Sequence, residues 1–175
     1  MMILIVGGSG SGKSAYAEKT AGEFPGKKYY LATMQILDEE SRRKADRHRE
    51  LRKDKDFITI EQPVEIQKAL AQMAAGEKTV LLECMSNLTA NEMFSGEEPR
   101  TKEQVVESVI AGIKILQKEI THLVIVSNNV FEDGIIYEET TMEYIEAMGA
   151  VNEKIAAMAE QVVEVTTGIP IMLKR

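Results

Sequence analysis

The sequence predicts an α/β domain with a mostly parallel central sheet flanked by helices. Three observations carry that expectation. Short β-branched runs at 3–6, 79–82 and 123–127 are apolar with little alternation, the mark of strands buried on both faces. Longer segments with helical spacing separate them, and strands alternating with helices build parallel sheets through right-handed crossovers. The first apolar run breaks into glycines and then a helical pattern, the strand–loop–helix order of a phosphate-binding unit.

Each element follows in order. After the strand at 3–6, a helix is expected over 13–23 and a strand at 28–33. A densely charged helix covers 38–53, and a short strand 57–60. Val64, Ile66, Ala69, Leu70 and Met73 have helical spacing over 64–75, and Gly76 closes that helix. A strand at 79–82 precedes helices over 85–94 and 103–119, with Gly96 and Pro99 in the loop between them. A strand at 123–127, a long helix over 140–160 and a strand at 161–166 continue the alternation. The last run, 169–173, contains Pro170, which an edge strand tolerates. No repeat, low-complexity tract or linker divides the chain, so a single domain over 1–175 is expected.

Composition narrows the function. The chain has 175 residues, 44% apolar and 28% charged, which is the balance of a folded soluble protein. Its 21 basic and 28 acidic residues give a net charge of −7, with no basic block. General nucleic-acid binding rests on neutralising phosphates, so it is not expected. The lone cysteine, Cys84, excludes an internal disulfide, fits a reducing compartment and reads as a small core residue. No apolar run is long enough to span a bilayer, and the one at 2–6 is too short for a signal-peptide core. These features point to the cytoplasm, without membrane insertion.

The strongest motif is Gly7-Gly8-Ser9-Gly10-Ser11-Gly12-Lys13-Ser14, which satisfies G-x-x-x-x-G-K-[ST] between a buried strand and a helix. Glycines let successive backbone N–H groups turn inward toward phosphate oxygens, and the helix start adds its positive end. Lys13 supplies charge to the terminal phosphates, and the Ser14 hydroxyl suits a Mg²⁺ ligand. The fold expectation sharpens to a P-loop NTPase of the RecA-like type. Such a loop needs an acid at a neighbouring strand end, and the strand at 79–82 runs directly into Glu83. Ser127, Asn128 and Asn129, after the next long strand, either orient a phosphate or water or cap a turn.

Residues 38–56 hold the pairs Asp38–Arg42, Glu39–Arg43 and Glu40–Lys44 at i,i+4, as a solvated helix would. Lys44, His48 and Arg52 nevertheless share one stripe. Cations one turn either side of a histidine disfavour its protonation, and a neutral imidazole is a nucleophile. Spacing leaves both readings open. His122, ahead of the strand at 123–127, has no companion ligands for a metal site.

Taken together, these residues resemble the bifunctional adenosylcobinamide kinase/adenosylcobinamide-phosphate guanylyltransferase family of cobalamin biosynthesis. The resemblance runs from the glycine loop through Tyr30-Leu31-Ala32-Thr33-Met34-Gln35 with Asp38, His48-Arg49 with Arg52, and Thr59-Ile60-Glu61-Gln62-Pro63. It continues through Leu81-Leu82-Glu83-Cys84 with Asn87 and Asn91, Val126-Ser127-Asn128, Asn152 and Gly168-Ile169-Pro170. It implies a nucleoside triphosphate kinase acting on the aminopropanol hydroxyl of adenosylcobinamide. It also implies transfer of GMP from GTP to the resulting phosphate through a guanylyl-histidine, with ATP and GTP as substrates and Mg²⁺ as cofactor. By the same resemblance His48 is the nucleophile and Lys13 its catalytic partner on the phosphates. Leu31, Ala32, Thr33, Arg49, Glu50, Leu51, Arg52, Glu61 and Glu83 are expected at the guanine nucleotide, and Ser14 and Glu83 at the metal. A homotrimer is implied as well.

Three features depart from the family pattern. Glu83 stands where Asp is usual, and Asn128-Asn129-Val130-Phe131 replaces Asn-Glu-Val-Gly. Glu138, Glu139, Glu143 and Glu146 make acidic a helix that is usually arginine-rich. Where that region shapes the corrinoid site, these last two departures touch the acceptor and not the nucleotide. Two other readings are compatible with the motifs: a different small-molecule P-loop kinase, or a nucleotide-binding protein with reduced catalysis.

Overall fold

The computed structural model describes residues 1–35, 39, 42–43, 56–129, 135 and 137–175. Among them, seven strands form one sheet: β1 (Met2–Val6), β2 (Lys27–Ala32), β3 (Ile58–Glu61), β4 (Lys78–Glu83), β5 (His122–Val126), β6 (Gln161–Thr166) and β7 (Ile169–Lys174). Their order is β3-β2-β4-β5-β1-β6-β7. The first six run parallel, and β7 returns antiparallel to β6 with Pro170 opposite Val165 at the sheet edge. The mostly parallel α/β architecture and the proline-bearing edge strand are as the sequence predicts.

The helices are α1 (Lys13–Glu23), α2 (Met85–Phe94), α3 (Lys102–Glu119) and α4 (Glu139–Met158). Strand period sorts side chains onto two faces. Met2 and Leu4 of β1 join a large core with Leu88 of α2, Val105, Val109 and Ile113 of α3, and Val151 and Ile155 of α4. Ile3 and Ile5 join a smaller core with Ala17 and Ala21 of α1. Alanines at that contact let α1 lie close to β4 and β5. Each fully buried Val, Leu or Ile side chain in these cores contributes about 1.5–3 kcal/mol before entropy is counted. α3 starts at a capping box in which Thr101 and Gln104 satisfy each other's backbone N–H groups.

The helix expected over 64–75 is instead a 3₁₀ helix, Ile66–Gln72, entered through Glu65 at φ 48°. Ile66 and Ala69, three apart, are its buried residues, whereas Leu70 and Met73 are only partly covered. With three residues per turn the i,i+3 positions eclipse, so this pair suffices to anchor the segment. The charged helix over 38–53 lies mostly outside the described residues. Within it Glu39, Arg42 and Arg43 are helical, and Glu39 and Arg43 form an exposed i,i+4 pair at 3.8 Å.

Candidate nucleotide-binding site

β1 ends in the interior of the sheet, between β5 and β6, and the glycine loop opens from its C-terminal end. A Cβ on Gly7 would lie 2.5 Å from the Val165 carbonyl oxygen and 2.6 Å from Ser11 Oγ, so no other residue fits there. Gly12 caps α1 at φ 90°, a left-handed conformation that costs glycine nothing. The Ser11 N–H donates to Gly8 O at 3.2 Å, and the Gly168 N–H donates to Ser11 O at 2.7 Å. The second bond ties the loop to the β6–β7 turn.

Lys13, the first residue of α1, is only 9% exposed, and its Nζ donates to Gly8 O at 3.0 Å. Burial lowers its pKa below the usual lysine value, while the charges of Cys84 and Glu83 pull the other way. A desolvated cation of this kind gains strongly from a phosphate partner. Ser14 Oγ donates to Glu83 Oε1 at 2.5 Å, and Tyr30 Oη donates to Glu83 Oε2 at 3.0 Å. The motif serine and the strand-end carboxylate therefore meet, as the sequence argument for a shared cation requires. A hydroxyl and a carboxylate are hard oxygen donors of the type Mg²⁺ takes. Among the described residues no group of three or more His, Cys, Asp or Glu could hold a metal. A cation here would complete its shell with water and nucleotide phosphates.

Glu61, exposed, ends β3, and Ala32 of β2 pairs in register with both Glu61 and Glu83. The two carboxylates thus flank Ala32 on one face of the C-terminal edge. Leu31 and Thr33 are fully buried. The Thr33 hydroxyl donates to Cys84 O and accepts from the Cys84 N–H, both at 2.8 Å, and the Thr33 N–H donates to Glu83 O at 3.1 Å. Asn91 of α2 then donates to Thr33 O at 2.7 Å and Pro63 O at 2.9 Å. Leu31 and Thr33 therefore fix the edge from within, and Ala32 is the residue of the three that is partly open.

Several of these groups have no counterpart in the sequence argument. The roles of Tyr30, Thr33 and Asn91 depend on partners distant in sequence, and nothing local singles out Asn91 in a helix that also carries Ser86, Asn87, Thr89 and Glu92. Cys84, expected as a small core residue, is half-buried and packs against the smaller core, with its thiol 3.0 Å from Ser86 Oγ. Asn128 donates to Ser86 Oγ at 2.7 Å and Asn129 to Glu164 Oε1 at 3.1 Å. Asn152 of α4 accepts from the Ser127 hydroxyl at 2.5 Å and donates to Asn128 O at 3.0 Å. His122 stacks on Phe24 with ring centroids 4.3 Å apart, at the start of β5 and away from this edge. Lys44, His48, Arg49, Glu50, Leu51 and Arg52 lie outside the described residues.

Comparison with known proteins adds to this geometry. Residues 3–173 match the family model described as cobinamide kinase / cobinamide phosphate guanyltransferase. The chain is 30% identical to the bifunctional adenosylcobalamin biosynthesis protein CobU of Escherichia coli K12, covering 99% of this chain and 100% of that protein. Its Salmonella typhimurium counterpart is also 30% identical with the same coverage. The corresponding CobP of Pseudomonas aeruginosa is 28% identical over 99% of this chain and 98% of its own. Among solved structures, a type III secretion ATPase aligns with TM-score 0.58 at 10% identity over 94% of this chain. The P4 protein of bacteriophage phi13 aligns with TM-score 0.50 at 14% identity over 97%. The chain spans about half of each of these two structures, 52%, and the likeness is one of fold.

Proposed function

The chain belongs to the cobinamide kinase / cobinamide phosphate guanyltransferase family, and from that premise we propose which of its residues serve the two reactions. It is a transferase of cobalamin nucleotide-loop assembly. The observation that carries the residue assignment is the convergence of Lys13, Ser14 and Glu83 beside the Gly7–Gly12 loop.

Loop N–H groups and the α1 N-terminus receive the β- and γ-phosphates of the nucleotide. Lys13 exchanges its bond to Gly8 O for a phosphate oxygen. Ser14 and Glu83 would hold Mg²⁺, and Tyr30 keeps the Glu83 carboxylate turned toward Ser14. The ion, when bound, neutralises charge on the phosphates. In the kinase step the acceptor hydroxyl attacks the γ-phosphorus, its proton leaves, and the bond to the β–γ bridging oxygen breaks. In the second step a ring nitrogen of His48 attacks the α-phosphorus of GTP and pyrophosphate departs. The substrate phosphate then displaces His48 to give the GDP-linked corrinoid. Arg49 and Arg52 carry the charge that accumulates, and Ala32 and Glu61 border the guanine nucleotide.

We also read the chain as one domain over 1–175, supported by the continuous sheet and by full-length coverage of the relatives, and as a homotrimer in the cytoplasm, which rests on the family resemblance alone. Sedimentation equilibrium tests the assembly. The residue assignment is tested by nucleotide binding and both activities in Lys13→Ala. Loss of both supports it, and unchanged affinity with an unchanged kinase rate overturns it.

A further inference from the structure

The acceptor has no assigned place, and the surface beside Cys84 offers one. α2 starts at the C-terminal end of β4 and carries Ser86 near its start and exposed Phe94 at its end. The two lie eight positions apart, about 12 Å at the usual helical rise. Tyr144 of α4 lies along this helix. Its hydroxyl donates to Ser86 O at 3.1 Å, and its ring sits 6.5 Å from that of Phe94 at an interplanar angle of 45°. Ser86 Oγ in turn meets Cys84 Sγ and the Asn128 amide, and Cys84 directly follows Glu83, whose carboxylate accepts from Ser14 beside Lys13. An aromatic ledge therefore leads, through a short polar track, to the phosphate loop.

Resting on the family reading above, we propose that Phe94 and Tyr144 form the seat of the corrinoid macrocycle. The polar track of Ser86 and Asn128 guides the hydroxyl-bearing arm to the phosphates. The chemistry of the ligand fits on three counts. Its macrocycle is broad and edged with methyl and methylene groups, which give apolar surface for contact with aromatic rings. Its rim carries amides, which suit the hydroxyl and amide groups of the track. Its reactive hydroxyl sits on a flexible arm, which the distance between ledge and loop requires. Charge agrees as well. The cobalt charge exceeds that of its macrocycle and alkyl ligand, so the unphosphorylated acceptor is a cation. Glu138, Glu139 and Glu143, exposed at the start of α4 beside Tyr144, present the opposite sign. Glu146 of the same helix is occupied by Lys102 at 2.6 Å. The acidic character that sets this helix apart thereby acquires a use.

The test is steady-state kinetics with adenosylcobinamide and, separately, guanylylation of the protein by GTP alone. Phe94→Ala raises KM for adenosylcobinamide by roughly tenfold, the scale of one lost aromatic stacking partner, and leaves nucleotide KM and self-guanylylation unchanged. Phe94→Trp restores KM toward the wild-type value. Tyr144→Phe, which keeps the ring, has a smaller effect than Tyr144→Leu. An unchanged corrinoid KM in both Phe94→Ala and Tyr144→Leu overturns the seat, as does an equal rise in the nucleotide KM. If wild-type protein self-guanylylates but ignores adenosylcobinamide, the family reading of the acceptor fails, and the seat fails with it. That result is distinguishable because it appears before any substitution is made.

Discussion

Glu83 at the end of β4 and Glu92 in the helix that follows are both partly or wholly removed from solvent, yet they are satisfied in opposite ways. Glu92, 7% exposed, meets Arg100 at 2.6 Å, the Glu65 N–H at 2.7 Å and the Ser108 hydroxyl at 3.3 Å. Its charge is neutralised by a fixed partner, and it pins the 3₁₀ segment and the α2–α3 loop to one another. Glu83 is held by two neutral hydroxyls, Ser14 and Tyr30, with the Lys13 charge nearby. Hydroxyls orient a carboxylate without neutralising it. The difference teaches how a structural acid and a ligand-ready acid can be told apart when both are hydrogen-bonded. The first has its cation in Arg100, and the second is held in place by hydroxyls, as the metal role proposed for it requires.

Substitutions at the two carboxylates should separate along this line. Glu83→Gln keeps the shape and loses the charge, so both activities fall by about 10²–10³-fold while the melting temperature barely moves. Mg²⁺-dependent rates that survive in this variant break the comparison at its functional end. Glu92→Ala does the reverse. It leaves Arg100, the Glu65 N–H and Ser108 without their acceptor, and costs about 2 kcal/mol, or roughly 4–8 °C in Tm for a chain of this size. Nucleotide affinity measured below the transition stays as in wild type. A fall in affinity without a fall in Tm contradicts the structural assignment of Glu92.

A smaller effect sharpens the account of Glu83. Tyr30→Phe removes one hydroxyl donor and nothing else from that carboxylate. We expect a several-fold rise in the Mg²⁺ concentration needed for nucleotide binding, of the order of one hydrogen bond to a charged group. Calorimetric titration of Mg²⁺ with nucleotide present measures it, and an unchanged Mg²⁺ requirement removes Tyr30 from the assignment.

Much of this site is legible in the sequence because it is local. The phosphate loop is a contiguous motif between a strand and a helix, and Glu83 directly ends an apolar strand whose C-terminal end reaches Ser14 although β5 lies between β4 and β1. What escapes is set by long-range pairing. Thr33 and Cys84 are remote in sequence, as are Asn91 and Thr33, yet they close one lock at 2.7–2.8 Å. Strand order escapes for the same reason, since alternation fixes a parallel sheet but not which strands adjoin. The segment at 64–75 shows a subtler limit. Its apolar residues fit both a helix of 3.6 residues per turn and the 3₁₀ turn that forms, because the i,i+3 positions belong to both.

Another predicted effect belongs to the other side of the edge. Burial, and to a lesser degree the charge of Cys84, push the Tyr144 hydroxyl up to about 12. The unfolded chain would ionise near the ordinary value of 10. Between these values the folded state binds the extra proton, so stability falls as pH rises through that window. Tyr144→Phe lacks the group, and its Tm should decline less than that of wild type from pH 10 to 12. Parallel declines contradict the burial of that hydroxyl.

We propose that one nucleotide site, organised by Lys13, Ser14 and Glu83, feeds guanylyl transfer through His48. Peptide mapping by mass spectrometry after incubation with GTP and Mg²⁺ addresses it most directly. We expect GMP on the peptide containing His48 in wild type and in Phe94→Ala, and none in Lys13→Ala, Glu83→Gln or His48→Asn. GMP on a different residue in wild type, or an undiminished adduct in Lys13→Ala, would contradict it.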